Sequence, residues 1–142
     1  MNVKDTKVAT LSDSDLIEEP YEFQKLMGFQ ITQWAADLCV LEQPMHPGLG
    51  NRYGIPHGGV YATLLDTVMG FCGCYTGAKT EVKHAMTLSL NVNYLSRPKG
   101  QIMTATGRKT GGGARTFFAE SDLTDETGEL IATATGVFRY RG

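Results

Sequence analysis

Residues 57–75 read HGGVYATLLDTVMGFCGCY, an almost uncharged run that carries one carboxylate, Asp66. Its apolar residues fall on nearly every face of a helix, and a helix hydrophobic all round has to be wrapped by other structure. Asp66 is the only Asp, Glu, Lys or Arg between Arg52 and Lys79. Moving an unpaired carboxylate out of water costs several kcal/mol or forces a pKa shift. A chain that keeps one there has a use for it, so function is to be sought around Asp66. The run is too short, and too interrupted by Thr67, Gly70 and Gly73, to span a membrane, and Asp66 at its centre would cost about 2.5–3.5 kcal/mol in lipid.

The sequence after this run supplies the wrapping. Met86, Leu88, Leu90, Val92 and Tyr94 alternate with Thr87, Ser89, Asn91 and Asn93 in a period of two, the clearest strand in the chain. Further strands are expected over 101–110, 114–124 and 130–140. They are separated by Gly111-Gly112-Gly113 and by Asp125-Glu126-Thr127-Gly128, short turns that join antiparallel neighbours. Ahead of the run, residues 1–19 lack apolar periodicity and are expected to form a flexible arm, followed by a single domain over 20–142. Pro20 opens a short helix over 21–27 that Gly28 ends. Residues 29–41 form one bulged strand or two short ones, and 43–56, rich in Pro and Gly, form a loop of the length that tends to carry function. The expected class is α+β, one long buried helix wrapped by a curved antiparallel sheet.

Bulk properties narrow the function. The 142 residues are 42% apolar and 20% charged with net charge −2, which excludes the basic footprint of a nucleic-acid binder and leaves an anionic ligand dependent on a local basic patch. Cys39, Cys72 and Cys74 are an odd number with no secretory leader before them, which points to reduced thiols in the cytoplasm. His46 and His84 have no partners at metal-ligand spacing, so no metal and no cofactor are expected.

The stretch Asn51-Arg52-Tyr53-Gly54-Ile55-Pro56-His57-Gly58-Gly59, with Asp66 seven residues after Gly59, resembles the hotdog-fold acyl-CoA thioesterases of the phenylacetic-acid-degradation type. Leu26-Met27-Gly28-Phe29, the strand from Thr87 to Pro98 and the hairpin from Asp125 to Ala132 support the resemblance, which runs from about Tyr21 to Tyr140. One departure is the long, glycine-rich turn Gly111 to Arg115, where the family has a compact Gly-Arg turn. The resemblance implies the hotdog fold and hydrolysis of a coenzyme A thioester, with a small or medium acyl or aryl group. It also implies a dimer with composite sites that pairs into a homotetramer.

Thioester hydrolysis needs a positioned water, a base for it, and donors for the oxyanion. Gly58, at a helix N-terminus with free N–H groups and no side chain in the way, is the oxyanion candidate. Asp66 is the base or the nucleophile, and the residues leave both routes open. The resemblance adds Asn51 to orient carbonyl or water, and Thr87 to hydrogen-bond Asp66. The parity of Thr87 opposes that of Met86 and Leu88, so which strand face meets the site is undetermined. Gly58 and Asp66 lie roughly 12 Å apart along one helix at 1.5 Å per residue, too far for one water and one carbonyl to bridge. Two antiparallel helices from two subunits would set one Gly58 beside the other's Asp66.

For substrate binding, His57 and Gly59 accompany the helix start, His57 as a packing residue or a proton shuttle. Arg97, Lys99, Arg108, Lys109 and Arg115 are candidates for the nucleotide phosphates or else a solvated hairpin rim. Trp34, Tyr61, Met69 and Phe71 are acyl-pocket candidates that by default are core. Two rivals stand beside hydrolysis. A non-catalytic acyl-CoA-binding protein would bind without turnover, and an acyl-thioester hydratase or dehydratase would need a His and carboxylate arrangement that is missing here.

Overall fold

The computed structural model describes residues 14–142; the first thirteen residues of the expected arm lie outside it. Ser14–Leu16 make a 3₁₀ turn, and Ile17 is half-buried against the core. The short helix α1 spans Glu22–Met27, capped by Tyr21 and ended by Gly28 at φ 97°, the left-handed value that favours glycine. Residues 29–41 resolve into two strands, β1 (Gln30–Ala35) and β2 (Leu38–Pro44), with a tight turn at Asp37, φ 62°. A bulge between Ile31 and Gln33 interrupts their pairing. Strand β2 runs into the expected loop because Gln43 and Pro44 stay in register with Met103 and Ile102. Pro44 sits where a strand can end without needing an N–H.

The central helix α2 spans Gly58–Cys72 and stops three residues short of the expected Tyr75. At Gly73 a Cβ would stand 2.4 Å from the ring of Phe117, so the chain passes this point only as glycine and turns away. Strands β3 (Ala85–Tyr94), β4 (Ile102–Gly112), β5 (Thr116–Asp125) and β6 (Leu130–Tyr140) complete one sheet in the order β1-β2-β4-β5-β6-β3. Every pairing is antiparallel.

The sheet curves over α2 and covers the face carrying Val60, Tyr61, Leu64, Leu65, Val68 and Met69. Leu64, Leu65, Val68 and Met69 have no solvent exposure, and each such side chain contributes about 1.5–3 kcal/mol on burial. Contact is closest at Gly107 of β4, where a Cβ would meet the backbone carbonyl of Val68 at 2.6 Å. The opposite face of α2, with Gly59, Ala62, Thr63, Asp66 and Gly70, is made of small and polar residues and stays partly open.

The bulge in β3 decides which of its faces meets the helix. Thr87 pairs with Phe138, while Ser89 pairs with Val137, so Leu88 is the extra residue. An extra residue reverses alternation. Ala85 and Thr87 therefore face α2 before the bulge, and Leu90, Val92 and Tyr94 face it afterwards, opposite inward-facing Gly136, Ala134 and Ala132. The single alternating face expected from the sequence is two half-faces.

Candidate active site

The site begins where the loop becomes α2. The loop is closed by Asn51, whose Oδ1 accepts from the N–H of Tyr53 at 2.8 Å and of Ile55 at 3.4 Å. A backbone bond from Asn51 N–H to Ile55 O at 2.8 Å adds to it. The amide oxygen of Asn51 is thus engaged in holding the turn, and its NH₂ is what it can offer a ligand. His57 is the N-cap of α2, its Nδ1 accepting from Gly59 N–H at 2.8 Å. That bond fixes the ring as an acceptor at Nδ1, which makes His57 the organiser of the helix start. The Gly59 N–H is taken by this cap. The Gly58 N–H has no acceptor among the described residues, so it is the donor left at the positive end of the helix. Tyr94 on β3 donates from its hydroxyl to the Gly58 carbonyl at 3.0 Å, and its ring would be 3.3 Å from a Cβ at Gly58.

Two turns further along α2, Asp66 is half-buried. Thr87 Oγ1 donates to its Oδ1 at 2.8 Å, which leaves the second carboxylate oxygen for a water or substrate. Burial pushes the Asp66 carboxyl above its ordinary range, and the Thr87 hydrogen bond partly opposes that rise. Asp66 and Thr87 open into a cavity of about 240 Å³ whose walls include Tyr21, Trp34, Thr67, Gly70 and Phe71. Trp34 is set rigidly there, its Nε1 donating to the Phe71 carbonyl at 2.8 Å and its ring edge-to-face with Phe71 at 5.3 Å.

Asn51, His57, Gly58 and Gly59 do not line this cavity. Asn51 lines a separate depression with His46, Ile55 and Gln101. The protomer therefore brings Asp66 and Thr87 together and keeps the helix-start group apart from them.

The five basic candidates do not form one patch. Arg97 is exposed in the segment after β3, and Lys99 pairs with Glu129 at 3.2 Å. Arg108 pairs with Asp122 at 3.5 Å on the outer sheet face, and Lys109 approaches Asp37 at 4.0 Å. Arg115 is exposed in the β4–β5 turn. Lys99 and Arg115 flank opposite ends of β4, a strand whose length at about 3.3 Å per residue is on the order of 30 Å. The charge pattern showed cations near one another in sequence, and extended strands carried them apart.

Residues that the sequence left unmarked also line the Asp66 cavity. Tyr21 reaches it from just ahead of α1, and Lys83 and His84 from the segment leading into β3. Their only sequence signal is aromatic or basic character in segments with no period. Among the described residues no three metal-ligating side chains converge, and no helix is long and apolar enough to cross a membrane.

Comparison with known proteins bears on the fold and the family. A profile of the thioesterase superfamily matches residues 53–132. The chain is 28% identical over 131 residues to the medium/long-chain acyl-CoA thioesterase YigI of Escherichia coli K12, covering 82% of this chain and 83% of that one. Among solved structures, conserved protein PA5202 of Pseudomonas aeruginosa superposes with TM-score 0.77 at 22% identity over 91% of this chain and 98% of that one. The E. coli PaaI protein from the phenylacetic acid degradation operon superposes with TM-score 0.74 at 17% identity over 84% of each chain. The antiparallel sheet around a central helix is the hotdog-like architecture of these neighbours. The profile spans more than half of the sequence, and the chain belongs to the thioesterase superfamily, whose chemistry is the hydrolysis of thioesters.

Proposed function

We propose that the protein is an acyl-CoA thioesterase in which Asp66 activates the attacking water. The observation that carries this reading is the pairing of Asp66 with Thr87 at the wall of a cavity, with the carboxyl pushed above its ordinary range. A carboxylate of raised pKa is a better base near neutral pH than an ordinary one. Asp66 takes a proton from water as the water oxygen attacks the thioester carbon, while Thr87 fixes the carboxylate. The oxyanion forms on the carbonyl oxygen, for which the Gly58 N–H at the helix N-terminus is the available donor. Collapse of the tetrahedral species breaks the C–S bond, and the proton held on Asp66 passes to the departing sulfur, so coenzyme A leaves as the thiol and the Asp66 carboxylate is restored.

The two halves of this machinery lie at different places in one protomer, which supports a two-fold dimer with composite sites. In it the Asn51–Gly59 segment of one subunit serves Asp66 of the other. The surface of the protomer supports it too. β3 is an edge strand, and Met86, Leu88 and Tyr94 on it are 47%, 54% and 56% exposed. An exposed apolar edge strand next to a half-open helix face is a surface that a second copy covers. A pair of such dimers is the assembly that the resemblance to the phenylacetic-acid-degradation type implies, and the three free cysteines support a reducing, cytoplasmic setting for it. The medium/long-chain specificity named for YigI supports an acyl-CoA substrate.

The test is a free-thiol assay on acyl-CoA esters of several lengths and on aryl-CoA esters, wild type beside Asp66→Asn. Loss of at least about 10²-fold in kcat with the fold intact is expected. Equal turnover by the two proteins would overturn the role of Asp66. Binding without turnover by the wild type would make the protein a CoA-ester binder.

A further inference from the structure

A second cavity of about 240 Å³ adjoins the one at Asp66, and the two share Glu18, Trp34, Cys74 and Lys83 as a common wall. Its roof is the segment around Leu16 and Ile17, and its floor is the loop that follows α2, from Cys74 to Val82. Wall residues divide by chemistry. Trp34 and Cys74 are buried, and Ile17 and Tyr75 are half-buried against the core. Asp15, Glu18, Glu19, Lys79, Glu81 and Lys83 are all exposed and form a charged rim.

Two polar groups at this cavity, the Trp34 indole N–H and the Thr76 hydroxyl, already have partners. Trp34 Nε1 donates to the Phe71 carbonyl at 2.8 Å, and Thr76 Oγ1 lies 2.9 Å from the Ala78 carbonyl and 3.0 Å from that of Glu81. These Thr76 bonds also hold the loop in shape. A preformed slot with buried apolar walls, in which the Trp34 and Thr76 polar groups are engaged, suits an apolar ligand.

Taking the thioesterase reading as its basis, we propose that this second cavity seats the distal methylenes of a straight-chain acyl group. Trp34 then divides a proximal acyl pocket from a tail pocket. Cys72, the last residue of α2, lies six residues beyond Asp66, roughly 9 Å at helical rise, and Cys74 follows just past the Gly73 turn. An extended chain advances about 1.3 Å per methylene on ~1.5 Å bonds. Acyl groups of up to about eight carbons therefore stay beside Asp66, and those of about ten or more enter the tail pocket. The substrate class is the saturated medium-to-long acyl-CoA, and the length threshold is set by Trp34 with the 74–82 loop.

Trp34 is the only tryptophan in the chain, so its emission reports occupancy without any need for turnover. S-hexyl-CoA and S-dodecyl-CoA, thioethers that cannot be hydrolysed, share the nucleotide and differ only in the tail. The expected result is a change in Trp34 emission with the dodecyl compound well beyond that with the hexyl compound, abolished in Ala78→Phe, which fills the tail pocket from the loop. In parallel, the ratio of kcat/KM for dodecanoyl-CoA over hexanoyl-CoA should fall at least about tenfold in Ala78→Phe. Equal emission changes with the two thioethers, or a ratio untouched by Ala78→Phe, would overturn the tail pocket while leaving the hydrolase reading in place. A dodecyl-specific emission change in a protein that hydrolyses no ester would retain the pocket and overturn the hydrolase.

Discussion

Thr87 Oγ1 and Asp66 Oδ1 lie 2.8 Å apart across 21 positions of sequence, and they meet because Leu88 bulges out of β3. Without that extra residue the strand could not present Thr87 and Leu90 to the same helix. Replacing Thr87 with Val should lower kcat by about tenfold or more, the cost of losing a hydrogen bond to a charged group. It should also move the acid limb of the kcat/KM profile to higher pH, because the bond it removes is the one that holds the Asp66 pKa down. Thr87→Ser should restore both. A limb that stays in place in Thr87→Val would show that Thr87 does not act on Asp66.

The acid limb in the wild type should itself lie above the ordinary carboxylate range, since burial raises the Asp66 pKa. The same shift has a consequence for stability. A carboxyl whose folded-state pKa exceeds its unfolded value stabilises the fold below the unfolded pKa, and this contribution is lost as pH rises through the folded pKa. Ionised Asp66 is therefore a burden on the fold at neutral pH. Asp66→Asn should raise Tm at pH 7, and the gain should shrink on acidification through the carboxylate range. Thermal melts across pH measure this. A lower Tm at pH 7 in the variant would contradict it.

Composite sites predict complementation. Asp66→Asn and Asn51→Ala should each be nearly inactive as pure proteins. Unfolded together and refolded at equal amounts, they should regain about a quarter of wild-type activity, because half the dimers are mixed and each mixed dimer holds one intact site of two. Activity no higher than that of the separate variants would place both residues of a site in one subunit.

Gly107 carries the closest contact between sheet and helix. An added methyl there would stand 2.6 Å from the Val68 carbonyl carbon and oxygen and 2.9 Å from the Met69 nitrogen, and backbone atoms cannot step aside as a flexible side chain does. Gly107→Ala should cost about 1–3 kcal/mol, as overpacking does. Since it lifts α2 two residues from Asp66, activity should fall by more than the loss of folded protein explains. Denaturant melts alongside kcat separate the two.

The ends of the molecule show what else the fold depends on. Asp125 accepts the backbone N–H groups of Lys99, Gly100, Thr127 and Glu129. Together with the Thr127 hydroxyl these bonds hold its carboxyl well below the usual range. The turn Asp125 to Gly128 was legible as a hairpin, but its role as the clamp on the segment entering β4 was not. That role depends on groups about 25 residues away.

The sequence by itself determined that a nearly uncharged helix from about Gly58 to Tyr75 must be covered, that strands after it alternate, and that Asp66 and the His57-Gly58-Gly59 helix start are the groups to watch, while the structure ends the helix at Cys72. These are local properties, since hydrophobic periodicity, glycine turns and an isolated carboxylate are written in neighbouring residues. Tertiary structure alone decided the parity of β3, because a one-residue bulge leaves no mark in a run of alternating apolar and polar residues. It also decided the scattering of the five cations and the joining of Tyr21, Trp34, Lys83 and Asp66 in one cavity. Those outcomes depend on which strands pair and in what register, and register sums interactions over the whole sheet that no single segment contains.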